Sequence, residues 1–447
     1  MQAIHPLHTA KPNHRLQAGS FLQVPPSSLR VALLARAAIR TPPMNCRLVS
    51  PFLFAALLAP FASAAERLVV TVSHDLSIAR PFETITVPWT EVNRALPGAL
   101  LQHLAVKDAA GHVLAYQVTN IAPLAKDPDK KGVAYGELIF QYDFAAGEKS
   151  ATFTVEQTDE VAPVFPAKAF ARFVPERLDD FAWENDRIAH RIYGPALAAP
   201  SEPPGAKEVL VTSGVDVWCK RVRYPIVDRW YNKGHDHYHT DEGEGLDMYA
   251  VGTSRGCGGT GVWDGTRLHV SRNFKTARVL ANGPVRAVFE LSYDTWAAGG
   301  VFVSETKRFT VDAGHNLDCI ESTFAFVGAP EITVAIGLGK HGAAAGAVTR
   351  NTTAGWLGLW EKYPKAAEAE LGTSVVLAPG LLAGFAEDEA NHLALVKVRS
   401  GQTIRYHPGA GWTRSGDFTG EADWNDYLAA CAARIAAPLT VTCGAGR

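Results

Sequence analysis

Between His235 and Gly261 the chain reads HDHYHTDEGEGLDMYAVGTSRGCGGTG. Three histidines alternate (His235, His237, His239). Asp236, Asp241, Glu242, Glu244 and Asp247 are interleaved with them or follow. Tyr238 and Tyr249 add two phenols. No other window gathers so many groups able to move protons or hold a metal.

Four chemistries suit these residue types: metal binding, glycoside hydrolysis, a lyase step and a mutarotase-type reaction, the last needing only a His with a carboxylate. On a strand, alternate side chains share a face, so His235, His237 and His239 would line up, with Asp241 joining them. Imidazole and carboxylate suit a divalent metal. Same-face neighbours on a strand lie roughly 6.5–7 Å apart, however, so two of the three plus a residue from elsewhere make the more workable set. Glycoside hydrolysis needs two carboxylates, roughly 5–5.5 or 6.5–9.5 Å apart according to stereochemistry. Asp241, Glu242, Glu244 and Asp247 are candidates, with Glu184 or Asp186 as partner. A lyase acting on a uronic acid needs a base, commonly His or Tyr, and a cation for the enolate-like charge. Tyr238, His239 and Tyr249 are candidate bases, and His237 is a further candidate for acid–base work. Arg187, Arg191, Arg221 and Arg223 are candidates for the substrate carboxylate, which a guanidinium grips bidentately, with Arg187 and Arg191 placed first.

Aromatic faces stack on pyranose rings, and Trp230 and Trp263 lie nearest the block in sequence. Most tryptophans are core residues, and the same holds for some of these. Gly256-x-Gly258-x-x-Gly261 matches a dinucleotide fingerprint but has no following helix or βαβ context, so it is read as a tightly turning loop. Cys219 and Cys257 bracket the block. A disulfide there would staple it, and two small buried hydrophobes are the alternative.

The elements that must position these groups read as strands. From 66 to 160, short runs rich in β-branched and aromatic residues (RLVVTV, ETITVPW, GELIFQY, SATFTVEQ) are divided by turn clusters, including a charged loop at Asp127–Lys131. This predicts an N-terminal β-sandwich over 65–160. Pro163 and Pro166 mark a boundary. Long strand-like runs from 209 to 340 predict a second, larger antiparallel sandwich over 161–447 that carries the chemistry. Trp424, Tyr427, Leu428, Cys431 and Ile435 recur at three- and four-residue steps and predict a C-terminal helix, ended by Pro438. LTVTC reads as a closing strand.

Residues 1–43 are basic, proline-punctuated and free of acids, and are expected to be untranslated or disordered. From Met44, Arg47, the apolar run Pro51–Phe61 and Ala62-Ser63-Ala64 form a secretory signal peptide over 44–64, so a periplasmic or secreted location is expected. Removing the six basic residues of 1–64 leaves 37 Lys+Arg against 45 Asp+Glu, a net charge near −8. That balance argues against a nucleic-acid partner. No second apolar run is long enough for a membrane span.

WENDRIAHRIYGPAL, then SGVDVWCKRVRYPIVDRWY, then HDHYHTDEGEGLDMYAVGTSRGCGG, with DWNDYL near the C-terminus, resemble DUF4861. This is a domain-of-unknown-function family of secreted bacterial proteins associated with polysaccharide utilisation. The resemblance covers nearly all of the chain after residue 64. It implies a small N-terminal β-sandwich followed by a large sandwich of the galactose-mutarotase type, and a role with plant or algal polysaccharide. The family has no agreed catalytic residues, so none is carried over. Residues and resemblance together lead to one expectation: an exported lyase or hydrolase acting on uronate-containing oligosaccharides by acid–base catalysis. A non-catalytic carbohydrate-binding protein is the alternative. A divalent metal at the histidines is a lesser expectation.

Overall fold

The structure is a computed structural model that describes residues 67–119, 136–341, 346–363 and 369–446. The leader, the signal sequence and the Asp127–Lys131 loop lie outside the described residues. As the strand patterns predict, the chain is mainly β, with antiparallel sheets and a C-terminal helix.

Strand alternation builds the first sandwich. In Arg67–Ser73, Leu68, Val70 and Val72 are fully buried while their neighbours face outward. They belong to a four-stranded sheet ordered 440–446, 67–73, 150–157, 104–107. A three-stranded sheet (80–88, 137–144, 116–119) faces it. Phe140, Phe144, Phe153 and Val155 fill the core between them. The closing strand Thr440–Gly446 therefore sits in this first sandwich. It pairs with Arg67–Ser73 from Arg67 opposite Gly446 to Ser73 opposite Thr440.

The large sandwich sets an eight-stranded sheet (276–281, 286–298, 301–312, 319–327, 403–412, 370–377, 356–362, 347–351 in spatial order) against a five-stranded one (268–269, 257–263, 332–339, 391–398, 384–387). Phe289, Phe309, Val311 and Tyr406 from the first meet Val334, Ile336 and Val396 from the second. The helix Glu421–Ala436 lies against the eight-stranded sheet through Trp424, Leu428 and Cys431, the periodic face read from the sequence. No helix among the described residues is long and apolar enough to cross a membrane.

A further five-stranded sheet (245–246, 215–220, 189–192, 180–184, 170–174) carries the segments that the sequence singled out. A short helix, Val227–Lys233, follows its Val215–Lys220 strand.

Candidate functional site

The histidine block is not a strand. Residues 235–240 form successive turns after the Val227–Lys233 helix, and only Gly245–Leu246 pairs into the sheet. The alternation argument therefore fails here. Turn geometry brings His235 and His239 together (ring centroids 4.9 Å apart) and sends His237 toward Glu242, 3.4 Å away. No three metal-ligating groups converge at this block or elsewhere among the described residues.

Arg191 is the centre of the arrangement. Strand alternation in Ala189–Ile192 places it opposite Asp216 of the neighbouring strand. Its Nε and Nη2 donate to Asp216 Oδ2 at 3.0 and 2.5 Å, and Nη2 also donates to Asp247 Oδ2 at 3.1 Å. Its Nη1 reaches the Tyr238 hydroxyl at 3.4 Å, and Asp180 lies 3.9 Å away. Tyr193, Trp218 and Tyr238 present their rings to the guanidinium. Burial opposes the arginine's charge, but Asp216 and Asp247 outweigh it and hold the group well above its ordinary range. Burial pushes the Asp216 carboxyl up against the pull of Arg191, and pushes Asp180 up to about 6.

His239 sits at the edge of this cluster, with 38% of its side chain exposed. Its Nδ1 lies 2.9 Å from the Asp247 carbonyl, with the Asp247 carboxylate 3.7 Å away. A carbonyl only accepts, so Nδ1 carries the proton and the lone pair of the neutral ring is on Nε2. Burial, with the charges of His235 and Arg191, lowers its pKa from 6.5, so the ring is neutral at pH 7. A neutral imidazole fixed in one tautomer by a buried carboxylate-bearing residue is fit to accept a proton.

The other expected residues do different work. The Glu184 carboxylate accepts from Lys220 Nζ at 2.7 Å and from the backbone N–H groups of Ile226 and Val227, so it caps a helix. Glu244 accepts from Tyr224, Arg229, Trp230 and Lys233. Glu242 meets Lys233, and Asp241 meets Arg221 and Arg414. Asp186 accepts from the Gly314 N–H, and Arg187 pairs with Asp417. Arg187 and Arg191 therefore hold the protein's own carboxylates. Trp230 is core, packed on Trp218. Trp263 ends the Cys257–Trp263 strand, about 20 Å along it from Cys257, and does not join the cluster. Cys219 and Cys257 are both buried free thiols. Gly256 serves packing: a Cβ there would fall 2.0 Å from the Val215 carbonyl oxygen.

Tyr249 is buried against His341 (ring centroids 4.3 Å) and Tyr363, and His341 Nδ1 lies 3.0 Å from Glu361. The Tyr249 hydroxyl and His341 Nε2 have no hydrogen-bond partner among the described residues. The charges of Asp216 and Asp247 are felt at Tyr363, which ties this group to the Arg191 cluster. Sequence reasoning missed Asp216, Tyr193, His341 and Glu361. Only Asp216 left a signal: a lone acid in the apolar run GVDVW must be buried with a partner.

A family model for DUF4861, a domain of unknown function, matches residues 72–441. The chain belongs to the DUF4861 family. Uncharacterized protein P7 of Formosa agariphila is 31% identical to this DUF4861 chain over 405 residues, 87% of the chain and 98% of that protein. Two solved structures from Enterococcus faecalis are also similar in fold. One is a glycosyl hydrolase family 38 protein (TM-score 0.42, 10% identity, 86% of this chain and 48% of that one). The other is an alpha-mannosidase (TM-score 0.44, 11% identity, 84% and 46%). The DUF4861 chain spans about half the length of these two structures.

Proposed function

We propose that this protein is an exported carbohydrate-active enzyme that works by acid–base catalysis on uronate-containing oligosaccharides, with His239 as the base. The observation that carries the reading is the open Nε2 of a neutral His239, whose Nδ1 is held by Asp247 and which is backed by the Asp247–Arg191–Asp216 array. Abstraction of the proton beside a uronate carboxylate, with loss of the neighbouring glycosidic oxygen to solvent protonation, is a lyase step such a base can perform. The step also needs positive charge near the substrate carboxylate. Arg221 and Arg414, each 39% exposed, converge on Asp241 at 3.1 and 2.7 Å. Asp241 is two residues from His239, within about 7.6 Å at Cα.

Hydrolysis is less well supported at this block. It requires two carboxylates free to face the bond, and Asp216 and Asp247 are buried while Glu184 is held by three donors and Glu244 by four.

Acidic oligosaccharides should give the ultraviolet absorbance of unsaturated uronates. Reducing ends without absorbance would replace the lyase step by hydrolysis. Sugar affinity that survives in His239→Ala, with no turnover in either protein, would make this a binding protein. The periplasmic or secreted location rests on residues 44–64, and N-terminal sequencing of the mature protein tests it.

A further inference from the structure

A second cavity is lined by none of the residues of the His239 cluster. This open cleft offers about 600 Å³ between the outer face of the eight-stranded sheet, the C-terminal helix and the first sandwich. Arg286, Thr310, Arg405 and His407 come from that sheet, Arg434 from the helix and Arg80 from the sandwich. Small-molecule sites commonly occupy roughly 300–1,000 Å³.

Its charge is one-sided. Four guanidiniums face two lining carboxylates, Glu83 and Asp312. Arg80 and Arg434 are themselves at least nine-tenths buried. Arg80 uses Nε on Glu83 and Nη1 on the Ala437 carbonyl. Arg286 uses Nε and Nη2 on Asp312, and Arg405 uses the same pair on Glu321. Each of the three keeps one terminal nitrogen without a partner among the described residues. Burial pushes the His407 ring down to about 4, so it stays neutral and adds hydrogen-bonding capacity rather than charge. Guanidinium nitrogens of this kind recognise oxyanions. The volume exceeds what a bare ion needs, and the Thr310 and Tyr427 hydroxyls suit a polyol.

We propose that this cavity is a second ligand site, distinct from His239, that takes a small sugar bearing an oxyanion, either a carboxylate or a sulfate ester. The Arg80, Arg286 and Arg405 donors hold the anion while Thr310, His407 and Tyr427 meet sugar hydroxyls. The site stands independently of the reaction proposed for His239.

Isothermal titration of the full chain with glucuronate, glucose 6-sulfate, glucose and inorganic sulfate tests it. Glucuronate, glucose 6-sulfate or both should bind, and which of them binds identifies the anion. Glucose and bare sulfate should bind at least about tenfold more weakly, since each lacks half of the recognition. Arg405→Gln should weaken binding about tenfold, the loss of one charge-assisted contact. Thr310→Phe, which fills the cavity without removing charge, should abolish binding, and His239→Gln should leave it unchanged. The proposal is overturned if neither charged sugar binds, if glucose or bare sulfate binds equally well, or if a folded Thr310→Phe protein keeps wild-type affinity. Loss of affinity in His239→Gln would also overturn it, because the bound sugar would then sit at the other site.

Discussion

At the scale of single residues, protonation states decide what the site can do. A His239 pKa below 6.5 means that the base is already available at neutral pH. Activity (kcat/KM) should be flat near pH 7 and fall about tenfold per unit once pH drops below that lowered pKa. A plateau extending down to about pH 4 would exclude His239 as the base. Asp318 behaves oppositely. Burial pushes its carboxyl from 3.8 up to about 7, while it accepts from Trp183 Nε1 at 2.7 Å. The folded state therefore holds the extra proton, and this stabilisation is complete below 3.8 and lost as pH rises through about 7. Asp318→Asn keeps the acceptor but does not titrate. Its Tm relative to wild type should increase between about pH 5 and about pH 8, and a constant difference would contradict the assignment. His239 was legible in the sequence because its types and neighbours announce proton chemistry. Asp247 and Arg191 stood out as well, but the array that joins them did not, because Asp216 and Arg191 lie 25 residues apart and meet only through strand register.

At the scale of elements, one carboxylate organises the segment that precedes the histidines. Glu184 fixes the start of the Val227–Lys233 helix and neutralises Lys220, both partners being 1% exposed. Removing one member of a buried pair leaves the other charge uncompensated and costs about 3–5 kcal/mol. Glu184→Ala should lose roughly that much in urea unfolding. Adding Lys220→Met should recover part of it, a non-additivity expected of groups in contact. Equal losses in the single and double variants would mean that capping, not the ion pair, dominates. The sequence showed that WENDR and the histidine block are linked, but not how. The link runs through a helix cap and a core of Trp218, Trp230, Tyr231 and Tyr238. The C-terminal helix was legible because its apolar period is unbroken over 16 residues. The turns at 235–240 were not, because alternating His-x-His-x-His imitates a strand while glycines at 234, 243 and 245 impose turns with positive φ.

At the scale of the whole molecule, the last strand closes the first sandwich. Thr440–Gly446 covers one edge of Arg67–Ser73 along its whole length. Deleting residues 439–447 should expose that edge and the Leu68–Val72 face beside it. Faster proteolysis within 67–157 and concentration-dependent aggregation are the expected readouts. An unchanged proteolysis pattern would show that the first sandwich is stable without its final strand. Strand alternation and turn chemistry made both sandwiches readable. The swap of the final strand into the first one was not readable, because pairing between chain ends leaves no local signal.

The central claim is that one open imidazole does the chemistry. It is tested most directly by following unsaturated-uronate absorbance with acidic oligosaccharides in wild type and His239→Gln, with matched Tm. The account predicts a steady rise in wild type and a rate at least about 100-fold lower in the variant. No rise in wild type with any acidic oligosaccharide, or equal rates in the two proteins, would contradict it.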